Sequence, residues 1–129
     1  MNEPRFLTLK YVLYVHKRSL EEFGGKAGVG NIGQVESALG TVQTAYGYGR
    51  NDFFELAATY AFHIAESQAF NDGNKRTGAG CAIAFLRLNG VAMPEDDGSI
   101  YDAMIGFANR KIDKSGFANV LRKLAERAK

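Results

Sequence analysis

The stretch QAFNDGNKR, residues 68–76, brings together an amide at Gln68, a carboxylate at Asp72, a glycine at Gly73, a second amide at Asn74 and adjacent cations at Lys75 and Arg76. Residues 74–77 read as the first turn of a helix, where backbone N–H groups have no partner within the helix and carry a partial positive charge. Such a turn is an anion site. The same dipole disfavours lysine and arginine there, so Lys75 and Arg76 point to an anionic ligand. Gly73 removes a side chain from the approach path, which lets backbone close on that ligand. Asp72 by itself would repel a phosphate; a divalent ion such as Mg²⁺ held by Asp72 and bridging phosphate oxygens resolves the conflict. The plain alternative is a connector in which Asp72 caps the helix and Lys75 and Arg76 are solvated. Phe70, alternating with polar neighbours, is expected to plug into the core and fix the loop.

To hold this loop the chain needs helices on both sides, and its pattern supplies them. Thr8 is a plausible N-cap for a first helix, in which Leu9, Val12, Leu13, His16 and Leu20 fall on one face and Gly24–Gly25 stops the run. Asn31 can cap a second helix with Val35, Leu39 and Val42 on one side, and Asn51 or Asp52 opens a third, FFELAATYAFHIAES. The fourth, NKRTGAGCAIAFLRL, closes at Asn89 and Gly90; its small residues invite a close neighbour. Two more amphipathic segments, GSIYDAMIGFANR and SGFANVLRKLAERAK, follow, the last capped by Ser115. The fold class is therefore all-α, a compact bundle of about six helices, in a single domain spanning 1–129. The glycine-rich GGKAGVGN between the first two helices fails the spacing of a phosphate-binding P-loop, and reads instead as a mobile flap.

Bulk properties exclude several classes. With 129 residues, 46% hydrophobic and 23% charged, the chain can bury a core without disulfides or metals. A formal net charge of +2 is too small to imply nucleic acid. A nucleic-acid-binding helix carrying Lys75 and Arg76 would have to expose a face that residues 78–88 do not offer, so direct nucleic-acid binding is not expected. The single Cys81 sits in an apolar run and reads as a packing residue. No secretory signal pattern and no run of about 20 apolar residues is present, so a cytoplasmic protein without membrane contact is expected.

FNDGNKRT, with YAFHIAES before it and AIAFLRLNG after it, resembles the signature of the Fic/Doc family, and within it the Doc branch. EEFGG and GQVESALG resemble the Doc-type N-terminal half. The resemblance implies a Fic/Doc fold that binds ATP with Mg²⁺ and transfers part of it to a protein hydroxyl. Asp72 would be the metal ligand; Gly73, Asn74, Lys75 and Arg76 would hold the nucleotide's phosphates. Lysine at 75, where adenylyl-transferring Fic proteins carry glycine, points to the Doc outcome: phosphorylation of an elongation factor Tu-like protein, which blocks translation. A small antitoxin with a helical C-terminal segment would hold such a toxin inactive in a hydrophobic groove. Nucleotidyl transfer, as in the wider family, is the alternative outcome. The departure is Gln68, where active members carry the histidine that serves as general base. An amide takes up no proton near neutral pH. Gln68 therefore implies reduced or abolished activity, whether as an inactivating substitution, a weaker natural variant or a nucleotide-binding pseudoenzyme. His63 lies too early on the preceding helix to substitute, and His16 reads as structural.

Overall fold

Thr8, Asn31, Asp52 and Asp113 each turn a side-chain oxygen onto backbone N–H groups two or three residues ahead, and each starts a helix. The computed structural model describes residues 3–128. Among them run six helices: α1 (Leu9–Phe23), α2 (Ile32–Gly47), α3 (Phe53–Ser67), α4 (Asn74–Leu88), α5 (Ser99–Ala108) and α6 (Lys114–Glu126). Their boundaries follow local chemistry, and the all-α class is observed. The one extended pairing among the described residues is a bridge between Val29 and Phe70.

Three boundary expectations need correction. Ser115 does not cap the last helix; Asp113 does, accepting the Gly116 N–H at 2.8 Å, because its carboxylate also complements the helix dipole. That helix ends at Glu126, and Lys129 lies outside the described residues, as do Met1 and Asn2 of the expected single domain. The fifth segment is trimmed to Ser99–Ala108 and is held from outside by Asp96, whose carboxylate accepts N–H groups from Gly98, Ile100 and Tyr101.

α3 and α4 form the central pair, with the other helices packed around them. Their closeness depends on Gly78: a Cβ there would meet the Ala61 carbonyl oxygen at 2.7 Å. Tyr60 and Phe85 pack between them with ring centroids 5.1 Å apart, and the Tyr60 hydroxyl accepts the Leu7 N–H at 3.0 Å. Burial pushes that phenol up to about 12. Cys81 is wholly buried in the same core and its thiol is pushed well up by burial, an inert packing residue. On α4, Thr77, Ala79, Ala82, Ile83, Phe85 and Leu86 are buried, while Arg76, Gly80, Ala84 and Arg87 lie on its more open side. On α1, Val12 and His16 are buried as anticipated, Leu9, Leu13 and Leu20 only partly, and Ser19 joins the buried face. No described helix is long and apolar enough to cross a membrane.

Candidate active site

The turn from α3 to α4 is made by two left-handed residues. Gln68, at φ 50° and ψ 32°, ends α3, and Gly73, at φ 80°, precedes α4. Between them Phe70 is buried, anchoring the loop as anticipated. Asn74 braces the same loop: its Oδ1 accepts the Phe70 N–H at 3.1 Å and its Nδ2 donates to the Phe70 carbonyl at 3.0 Å. The side-chain amide thus acts as a strand partner for one residue, a role that spacing gave no means to foresee. A phosphate contact from Asn74 would have to share these bonds.

The first hydrogen bond of α4 runs from the Thr77 N–H to the Gly73 carbonyl, leaving the N–H groups of Asn74, Lys75 and Arg76 without helical acceptors. Asp72 stands beside this turn with its carboxylate oriented by backbone on both sides. Oδ1 accepts the Gly73 N–H at 3.0 Å and Oδ2 accepts the Lys26 N–H at 3.2 Å. It is exposed, has no cationic side chain within ion-pair distance among the described residues, and does not cap α4. Among the described residues no three carboxylate, imidazole or thiol groups gather into a metal cage. One carboxylate plus phosphate oxygens and water is how Mg²⁺ is commonly held, and Asp72 beside the open turn of α4 fits that demand.

Gln68 and the cations are arranged differently from one another. The Gln68 side chain folds back, donating Nε2 to the Ala65 carbonyl at 3.1 Å, and so satisfies one of the carbonyls that end α3. Lys75 projects into solvent. Arg76 is part-buried, its guanidinium stacked between the rings of Phe23 at 3.7 Å and Tyr101 at 3.9 Å. It lines a cleft of about 550 Å³ between α1, α4 and α5.

The glycine-rich segment is tied to the loop. Gly30 and Asn31 N–H groups donate to the Ala69 carbonyl at 2.8 and 3.1 Å, and the Asn71 N–H donates to the Gly28 carbonyl at 3.1 Å. Asn71 Nδ2 reaches the Ala27 carbonyl at 3.3 Å, in space that a Cβ at Gly28 would fill, at 2.2 Å from that nitrogen. The flap is therefore paired backbone to backbone with the loop rather than loose above it. His16, read from the sequence as structural, is buried and bonded to the Asp72 carbonyl; that partner on a distant loop is what the sequence did not indicate.

Residues 6–86 match the profile of the Fic/DOC family. The chain belongs to the Fic/DOC family. It is 35% identical over 121 residues to Protein kinase doc of Escherichia phage P1, covering 93% of this chain and 95% of that protein. It is 37% identical over 78 residues to Toxin Doc of Mycolicibacterium smegmatis, covering 57% of this chain and 58% of that protein.

Proposed function

We propose that this protein is a Doc-type toxin of the cytoplasm that binds Mg²⁺-ATP at the loop from Asp72 to Arg76 and phosphorylates a hydroxyl of an elongation factor Tu-like protein, with Gln68 holding the rate down. The observation that carries the reading is the open first turn of α4, with three N–H groups lacking helical acceptors, beside an oriented and uncompensated Asp72. Asp72 would keep the metal's positive charge beside this turn, where it would offset the charge of the phosphates. Asp72 would hold the metal, the α4 N–H groups and Lys75 would bind phosphate, and Gly73 would admit the ligand to the backbone. Arg76, braced by two rings, would add fixed positive charge at the edge of the site.

What Gln68 cannot do is accept the proton of the attacking hydroxyl, and a positioned base contributes about 10² to 10⁴ in rate. Gln68→His should raise phosphate transfer from ATP to elongation factor Tu by roughly that factor. Absence of transfer by both proteins, with Mg²⁺-ATP bound by both, would leave a nucleotide-binding pseudoenzyme. Labelling of the acceptor by the adenylyl group instead would make it a nucleotidyl transferase. The fold of the Gln68 amide onto Ala65 supports the pseudoenzyme reading as the second choice.

An antitoxin with a helical C-terminal segment fits the cleft between α1, α4 and α5. Tyr14 and Phe23 are more than half exposed at its α1 wall, while Ala84 presents only a methyl group at the α4 wall, where a helix could approach. Tyr14→Glu should weaken binding of that antitoxin segment, followed by calorimetry, while Mg²⁺-ATP affinity stays unchanged; unaltered binding of the segment would exclude this cleft.

A further inference from the structure

His16 lies on α1, yet it is bonded into the signature loop. It is only 5% exposed, and its Nε2 sits 2.9 Å from the Asp72 carbonyl oxygen. A carbonyl can only accept, so this nitrogen carries the hydrogen. The imidazole also lies flat on the Phe70 ring, with centroids 3.9 Å apart and 13° between planes. Gly73 lies beside the imidazole: a Cβ there would make ordinary contact with the His16 Cδ2 at 3.6 Å and with Leu20 Cδ2, one turn further along α1, at 3.4 Å.

These contacts converge on one peptide unit. The Asp72–Gly73 peptide has its carbonyl held by His16, and its N–H held by the carboxylate of Asp72 itself. Rotating that peptide would break the His16 bond, and the carboxylate would then either turn with the N–H it accepts or lose it. The second carboxylate oxygen is fixed from the flap by the Lys26 N–H.

We infer that His16 is a positioning residue: by clamping the Asp72 carbonyl and stacking on Phe70 it fixes the direction in which the Asp72 carboxylate faces a metal-bound phosphate. This rests on the proposed Mg²⁺-ATP site. It requires no proton transfer by His16, only a donor nitrogen at the right reach and a flat ring. The two parts separate by substitution: Phe keeps the stack without the donor, and Gln keeps a donor of similar reach without the stack.

The test is calorimetric titration of ATP with and without Mg²⁺ into the unaltered protein, His16→Phe and His16→Gln. Removing a group that orients a metal ligand typically costs about 10- to 100-fold in metal affinity. His16→Phe should therefore weaken Mg²⁺-ATP binding by about that factor, leave metal-free ATP binding nearly unchanged, and be partly rescued in His16→Gln. Equal losses with and without metal, or no loss, overturn the inference while leaving the nucleotide site intact. No Mg²⁺-ATP binding by the unaltered protein overturns the proposed function, and the inference with it. If His16→Phe does not fold, His16→Gln combined with Asp72→Asn decides: positioning requires the metal-dependent loss from His16→Gln to vanish once Asp72 is already Asn, and additive losses refute it.

Discussion

Gln68 occupies a backbone conformation that ordinary side chains avoid, since the left-handed region costs a residue with a Cβ roughly 1–2 kcal/mol. It is kept there by the needs of the turn, and its amide offsets part of that by binding the Ala65 carbonyl. The consequence for chemistry is a pH signature. Catalysis through an imidazole depends on its neutral fraction, which changes around the usual histidine value of about 6.5. The transfer rate of Gln68→His should therefore rise with pH across that value and level off, whereas the unaltered protein should show no such limb. Rate profiles measured from pH 5.5 to 8.5 with Mg²⁺-ATP saturating would check this; parallel profiles for the two proteins would mean that residue 68 is not the proton acceptor.

At the scale of elements, the site depends on how closely α3 and α4 approach, because the loop between them must return over a short gap. Gly78 is buried within a helix, where alanine would be favoured by about 1 kcal/mol on propensity alone. The packing reverses that sign. An added methyl would stand 2.7 Å from the Ala61 carbonyl oxygen, a backbone atom that cannot swing aside, and 3.4 Å from Met104 Cε. Forcing the helices apart costs about 1–3 kcal/mol in a packed core. Gly78→Ala should thus lower unfolding free energy by up to about 2 kcal/mol net of the propensity gain, read from the urea midpoint at constant slope. A stabilised variant would show that the helices have room to spare. Arg76 belongs to the same scale: its two stacked rings come from α1 and α5, so it ties three helices at the mouth of the cleft.

At the scale of the whole molecule, helix packing brings a titrating pair together at the junction of α3 and α6. The Lys114 ammonium lies 3.4 Å from His63 Nε2, and Phe62 flanks both. Burial first, and then the neighbouring Lys114 charge, hold the His63 imidazole below its ordinary value, while Glu66 pulls weakly the other way. Between that lowered value and about 6.5 the unfolded chain binds the proton more readily than the folded one. His63 therefore causes stability to fall as pH drops below about 6.5, with no further loss once the folded group is also protonated. Denaturant unfolding between pH 5 and 8 should show a shallower acid-side slope in His63→Gln, and an identical slope would mean that His63 is not destabilised as a cation.

The helices and the loop were legible in the sequence because both are written in short-range signals. Thr8, Asn31 and Asp52 cap, periodic apolar residues choose a buried face, and the order from Asp72 to Arg76 sets a carboxylate, a glycine and two cations around a helix start. Even there, Ser115 and Asp113 compete as caps only two residues apart, and geometry chose the carboxylate. The partners of these residues were not legible. His16 reaches the Asp72 carbonyl across 56 positions, Asn74 spends its amide on Phe70, Arg76 turns to Phe23 and Tyr101, and the glycine flap pairs with Ala69 and Asn71. Propensity and capping act over a single turn, whereas these contacts depend on which helix faces meet. That meeting is decided by the close packing of α3, α4 and α1 in three dimensions.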